Sequence, residues 1–164
     1  MTIPDYSYPL ISLTTRRPVN SPLRVDGYQV PQPILQNAST IDTNYSSMTI
    51  DVSVDPNIGV RSMELLPIFH FAEIGSDSPN RTFNVYGAGE LLIPHVYPLP
   101  PMQVVSRYTK HRFLSGTNYI SFSFNKTANS ALPPLISAFE LYSLLRMDNF
   151  TTSSNDGKIH GESH

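Results

Sequence analysis

Apolar residues recur at every second position along much of this chain. From Met48 to Val54, Met48, Ile50, Val52 and Val54 alternate with Thr49, Asp51 and Ser53, which predicts a strand with one face buried and the other in water. Asn118 to Asn125 repeats the pattern: Ile120, Phe122 and Phe124 point one way, and Ser121, Ser123 and Asn125 the other. Leu65 to Ile74 is more uniformly apolar and holds Phe69 and Phe71, as expected of a strand covered on both faces, although Pro67 requires an edge or a bulge there. Phe83 and Val85 mark a further strand, closed by Gly87-Ala88-Gly89. Val104 to Phe113 alternates less cleanly. Leu135 to Leu145 supplies the last apolar run, where a helix competes because Leu135, Phe139 and Tyr142 share a helical face.

Between Glu90 and Met102, Pro94, Pro98, Pro100 and Pro101 remove backbone donors, which predicts extended loops and excludes a helix. Short strands separated by turn residues, without intervening amphipathic helices, point to an all-β antiparallel sandwich or jelly roll. The pattern places this module over residues 27–147. Residues 1–26 are proline-punctuated and weakly periodic, as in a connector lying on the domain surface, and residues 148–164 form a polar, flexible tail.

At 164 residues the chain has room for one sizeable core. Charged residues make up only 15% and the formal charge is -2, so no basic field attracts phosphates; nucleic acid is not an expected partner, and no polybasic membrane patch is present. With no cysteine, disulfides, thiolate metal sites and a cysteine nucleophile are excluded. No run approaches the roughly 20 apolar residues of a membrane span, and the opening Met1-Thr-Ile-Pro-Asp-Tyr6 lacks the features of a signal peptide. The glycosylation acceptor pattern points instead to the secretory pathway. Asn37, Asn44, Asn80, Asn125 and Asn149 each begin an Asn-x-Ser/Thr triplet, against roughly two expected by chance, and each is expected in a solvent-facing turn or strand end.

Three strings carry a family resemblance. Phe69-His-Phe-Ala-Glu-Ile74 followed by Asn80-Arg-Thr-Phe-Asn-Val85, the closing Leu132-Pro-Pro-Leu-Ile-Ser-Ala-Phe-Glu-Leu-Tyr142, and the upstream Tyr28-Gln-Val-Pro31 with Ile34-Leu-Gln36 together resemble the malectin-like domains of plant leucine-rich-repeat receptor kinases. The resemblance implies a jelly-roll, galactose-binding-like sandwich, the second of two tandem modules, and hence a fragment of a longer receptor. In such a parent the module lies on the extracellular face of the plasma membrane. Membrane attachment and the kinase then reside in parent segments beyond this chain. The implied partners are a cell-wall carbohydrate or a receptor or peptide partner.

In the lectins that give the family its name, a pair of sugar-stacking aromatics follows the equivalent of Phe-x-Glu-Ile. Gly75 and Ser76 stand there in this chain, and neither stacks on a sugar ring. The lectins' acidic contact falls near Ser130 and Ala131. Tyr86, Tyr97 and Tyr108 are the remaining candidates for a sugar platform, each set near a loop with an apolar face and a polar tip. His70 and Glu73 have His-x-x-Glu spacing, but strand alternation puts them on opposite faces, so they do not jointly ligate a metal; Glu73 reads as structural. His95, His111, His160 and His164 are dispersed. Glu64, Glu73, Glu90 and Glu140 nominate no catalytic pair, and no Gly-x-Ser-x-Gly elbow or phosphate loop occurs. The expectation is a noncatalytic recognition module without cofactor or metal, binding either carbohydrate or a protein in receptor assembly.

Overall fold

The computed structural model describes residues 9–21, 30–53, 63–75, 80–96, 100–109, 113–115 and 119–144. In chain order its elements are β1 (Ile11–Thr14), α1 (Gln32–Leu35), β2 (Asn37–Thr40), β3 (Ser47–Ser53), β4 (Met63–Ala72), β5 (Phe83–Gly87), β6 (Glu90–Val96), β7 (Val104–Tyr108), β8 (Phe113–Ser115), β9 (Tyr119–Lys126), β10 (Leu135–Ile136) and β11 (Ala138–Leu144). They pair antiparallel throughout, as β3-β9-β5-β6, as β11-β4-β7 with β8 also on β4, and as β1-β2-β10.

The alternation read from the sequence is the alternation of burial. Along β9, Ile120, Phe122 and Phe124 are buried, and Ser121, Ser123 and Asn125 are half-exposed. On β5 the same parity buries Phe83 and Val85, and Gly87 leaves the space that Leu92 and Phe122 fill. Phe69 and Phe71 of β4 face these residues from the opposing sheet. The Phe69 ring meets Phe122 at 5.4 Å and Phe124 at 5.6 Å, both edge to face, and Phe71 meets Phe83 at 5.2 Å, the geometry that aromatic quadrupoles favour. Phe139 of β11 closes the cluster at 5.2 Å from both Phe69 and Phe122. The other face of β4 is covered in part by the N-terminal segment, where Val19 and Leu35 pack on Ala72 and Val104. That cover is why β4 reads as apolar on both sides.

Three local features depart from the sequence pattern or refine it. Pro67 sits in a central strand, opposite Leu141 of β11. On its other side β8 pairs with Met63–Leu65 and β7 resumes only at Ile68, so the missing donor falls where β4 is locally an edge. The stretch from Glu90, expected as loops, instead forms β6 at the outside of its sheet. A two-residue turn launches it, with Ala88 at φ 51° and Gly89 at φ 83°, the positive pair that matches strand twist. Pro94 is then absorbed by a bulge: the register slips between Phe83 and Val85, His95 takes φ 47°, and its N–H bonds Asn84 Oδ1 at 2.9 Å. The run after Leu135, where a helix competed, is strand in both β10 and β11. Ser137 makes the jog between them, its N–H on His70 O and its Oγ accepting from Ala72 N.

Where the sequence suggested a connector over residues 1–26, the described part, residues 9–21, is tied into the sandwich. β1 pairs with β2, and Gln32 of α1 holds Val19 through both its backbone groups at 3.1 and 2.6 Å. The expected tail, residues 148–164, lies outside the described residues.

Truncating the ring at the centre of the sandwich is expected to cost far more than altering an outward neighbour. Phe69→Ala should destabilise by about 3–5 kcal/mol, while Ser123→Ala stays within about 0.5 kcal/mol; urea unfolding of the two variants measures both.

Candidate ligand cleft

The parity that turns Phe69 and Phe71 inward carries Glu73 inward as well. Its side chain is wholly buried, and a buried carboxylate needs a partner. Arg81 supplies it from the approach to β5, where the spacing 81, 83, 85 aims three side chains at the interior. Arg81 Nε donates to Glu73 Oε2 at 2.7 Å, and the second carboxylate oxygen accepts from Gly75 N at 3.1 Å. Arg81 Nη1 donates to Pro133 O and, at 3.5 Å, to Thr40 Oγ1, which itself donates to Pro134 O at 2.7 Å. Among the described residues, Nη2 has no acceptor. Arg81 is only 3% exposed, so these two N–H donors are largely withdrawn from bulk water with no acceptor among the described residues.

Arg81 and Thr40 line a cleft of about 390 Å³ together with Ile11 and Leu13 of β1, Leu132 and Pro133. Asp42 and Thr43, just past β2, line it as well. Glu73 offsets the Arg81 charge, and Asp42 adds a negative one. The arrangement thus offers N–H donors beside apolar walls, in surroundings that favour an uncharged oxygen acceptor over an anion.

The sequence candidates are dispersed by comparison. Tyr86 is half-buried on β5, in register with Ser123 and Leu91 on the outer face of its sheet, whereas Tyr108 ends β7 on the other sheet, opposite Ile68. Tyr97 lies outside the described residues, as do Ser76 and Asn149. Gly75 does line the cleft, but a Cβ there would stand 2.9 Å from Leu13 Cδ1; Leu13 occupies the space a side chain at that position would need. Ser130 is buried in the turn before β10, its Oγ accepting from Thr82 N and donating to Leu132 O, each at 2.8 Å. Asn37, Asn44 and Asn80 are exposed, and Asn125 is half-buried on β9.

His70 and Glu73 have separate partners. His70 Nδ1 lies 2.8 Å from Ser106 Oγ and Nε2 lies 2.9 Å from Glu140 Oε1, while Tyr142 donates to Glu140 Oε2. Ser, His and Glu are the residue types of an acyl-transfer relay. Here His70 is fully enclosed and lies outside the cleft lining, so the row acts as a clamp across β7, β4 and β11. Among the described residues no group of three His, Cys, Asp or Glu could hold a metal.

The sequence reading missed Ile11, Leu13, Thr40, Asp42 and Arg81. One signal was available: an inward-facing Glu73 demands a cation, and Arg81 is the nearest following one with inward parity.

A family model described as a malectin-like domain matches residues 6–144. Two relatives in Arabidopsis thaliana are a probable LRR receptor-like serine/threonine-protein kinase, 30% identical over 132 residues, and a probable leucine-rich repeat receptor-like protein kinase, 33% identical over 133. These alignments cover 79% and 80% of this chain but only 15% and 14% of the relatives. Among solved structures, the extracellular domain of ANXUR1 from Arabidopsis thaliana superposes with a TM-score of 0.64 at 12% identity, covering 85% of this chain and 39% of that one. A β-glucuronidase of Bacteroides uniformis gives 0.54 at 12%, covering 82% and 14%. At that identity the likeness concerns the fold alone.

Removing one partner of the buried pair strands the other. Arg81→Met is expected to cost about 3–5 kcal/mol, and combining it with Glu73→Gln should cost less than the two single changes summed, by at least about 1 kcal/mol. A double-mutant cycle in urea reads the coupling directly; simple additivity would contradict the pairing.

Proposed function

The chain belongs to the malectin-like domain family, and we propose that it serves as a noncatalytic recognition module in the extracellular part of a plant receptor kinase, its cleft taking an uncharged sugar unit of a cell-wall glycan. The observation that carries this reading is Arg81, a buried residue of the cleft lining whose Nη2 has no acceptor among the described residues, together with the apolar residues Ile11, Leu13, Leu132 and Pro133 of the same lining. A pyranose presents both surfaces this lining asks for, a C–H face for the walls and hydroxyl or ring oxygens for the donors. The kinase domains for which the relatives are named lie beyond the matched part, and no described helix is long and apolar enough to cross a membrane.

A protein partner in receptor assembly is the second reading. Leu10 and Ile11 favour it, being 57% and 41% exposed at β1, which pairs only with β2 among the described residues. An added strand of a partner would cover both.

Titration of the labelled chain with a β-1,4-glucan hexamer and with a galacturonan hexamer separates these readings. The neutral glucan should shift the Arg81 and Leu13 resonances, and Ile11→Asp, at an exposed wall position, should weaken it at least about tenfold. No response at the cleft to either glycan sinks the sugar reading, and tighter binding of the galacturonan contradicts the charge argument.

A further inference from the structure

Three acceptor triplets that lie far apart in the chain are brought together by the β3-β9-β5-β6 sheet. Asn125 of β9 is in register with Ser47 of β3 on one side and Asn84 of β5 on the other. Immediately beyond, Lys126 N donates to Ser46 O at 2.7 Å and Thr127 N to Thr82 O at 3.0 Å. Ser46, Thr82 and Thr127 are the hydroxyl residues of the triplets that begin at Asn44, Asn80 and Asn125. Chain spacing limits their separation: Asn80 is at most about 13 Å from Asn84, and Asn44 at most about 10 Å from Ser47.

The side chains suit attachment of a glycan. Asn44 and Asn80 are exposed, and Asn125 occupies an outward position of β9, opposite in parity to Phe122 and Phe124. Asn125 Oδ1 accepts from Ser47 Oγ at 2.7 Å, a bond that does not involve Nδ2. Asn80 Nδ2 spends one of its two hydrogens on Asn129 O at 3.1 Å and keeps the other.

We propose that Asn44, Asn80 and Asn125 are N-glycosylation sites whose glycans jointly screen that end of the sheet's outer face. At each, Nδ2 forms a bond to C1 of the first sugar of a lipid-linked oligosaccharide diphosphate. The C1–O bond to the diphosphate breaks, the diphosphate leaves with the bonding pair, and one amide proton passes to a base. Transfer precedes strand pairing, so the half-burial of Asn125 in the finished sheet is no obstacle; its outward parity lets the glycan leave into water. The row beside Asn84 and Asn125 is that of Thr49, Ser123 and Tyr86, which places Tyr86 under the glycans. Tyr119, at the opposite end of β9 and 57% exposed, stays clear of them. This proposal is independent of what the cleft binds.

The test uses the whole chain, secreted from plant cells behind an added leader. Peptide-N-glycosidase in heavy-oxygen water marks each glycosylated asparagine with one heavy oxygen, and mass spectrometry should find the mark at all three; its absence from any one overturns the joint screen. Hydroxyl-radical footprinting of the folded protein before and after glycan removal tests the covering. Oxidation of Tyr86 should rise at least about threefold when the glycans are removed, with Tyr119 unchanged. Equal oxidation of Tyr86 in the two forms overturns it.

Discussion

The interlock of phenylalanine rings between the two larger sheets sets the register on which every other feature depends. Phe69 lies within 5.2 to 5.6 Å of Phe122, Phe124 and Phe139, and together these rings bury more apolar surface than any polar contact in the domain could offset if it were exposed. A slip of one residue in β9 would turn Ser121, Ser123 and Asn125 into this cluster and put Phe122 and Phe124 in water. The register is therefore held by burial, and the pairing of Asn125 with Ser47 and Asn84 follows from it.

The same constraint creates the polar site. Once Phe69 and Phe71 face inward, so does Glu73, and the residue that answers it must share the inward parity of Phe83 and Val85, which Arg81 does. A buried ion pair of this kind is weak evidence for net stability, because desolvating both ions offsets much of their attraction. Its effect is to fix geometry. With Nε on Glu73 and Nη1 on Pro133 and Thr40, the guanidinium ties the end of β4 to the approach of β10, and Nη2 is left without an acceptor among the described residues.

Much of this fold was legible because one-sided strands announce themselves. β3, β5 and β9 alternate cleanly, and the family strings around Phe69 and Leu132 agreed with them. The elements that resisted had physical reasons to do so. In β6, Pro94 suppresses the strand signal, and only the bulge at His95 makes it compatible with pairing. The run from Leu135 is apolar at consecutive positions because β10 and β11 belong to different sheets on either side of Ser137, and such a run has no period to read. Tyr86 and Tyr108 look equivalent as residues near loops, yet each sits on the outer face of a different sheet. The cleft draws on residues 11, 13, 40–43, 75, 81 and 132–133, and no local pattern links segments so far apart.

Gly75 shows how a shared scaffold and a changed site coexist. The lectins that name the family carry aromatics directly after this strand, and a chain with glycine there looks, by sequence, as though the site had been erased. The close approach of Leu13 to the position of an added Cβ points elsewhere: Leu13 and a side chain at residue 75 compete for one volume. With glycine at 75, Leu13 of β1 fills that volume and lines the cleft from a different part of the chain, where Arg81 also lines it. β1 lies outside both large sheets, and its Leu13 packs against the phenylalanine core from the side. The apolar wall of the cleft thus comes in part from the N-terminal strand, while the segment carrying the family's most legible string holds Arg81 through Glu73.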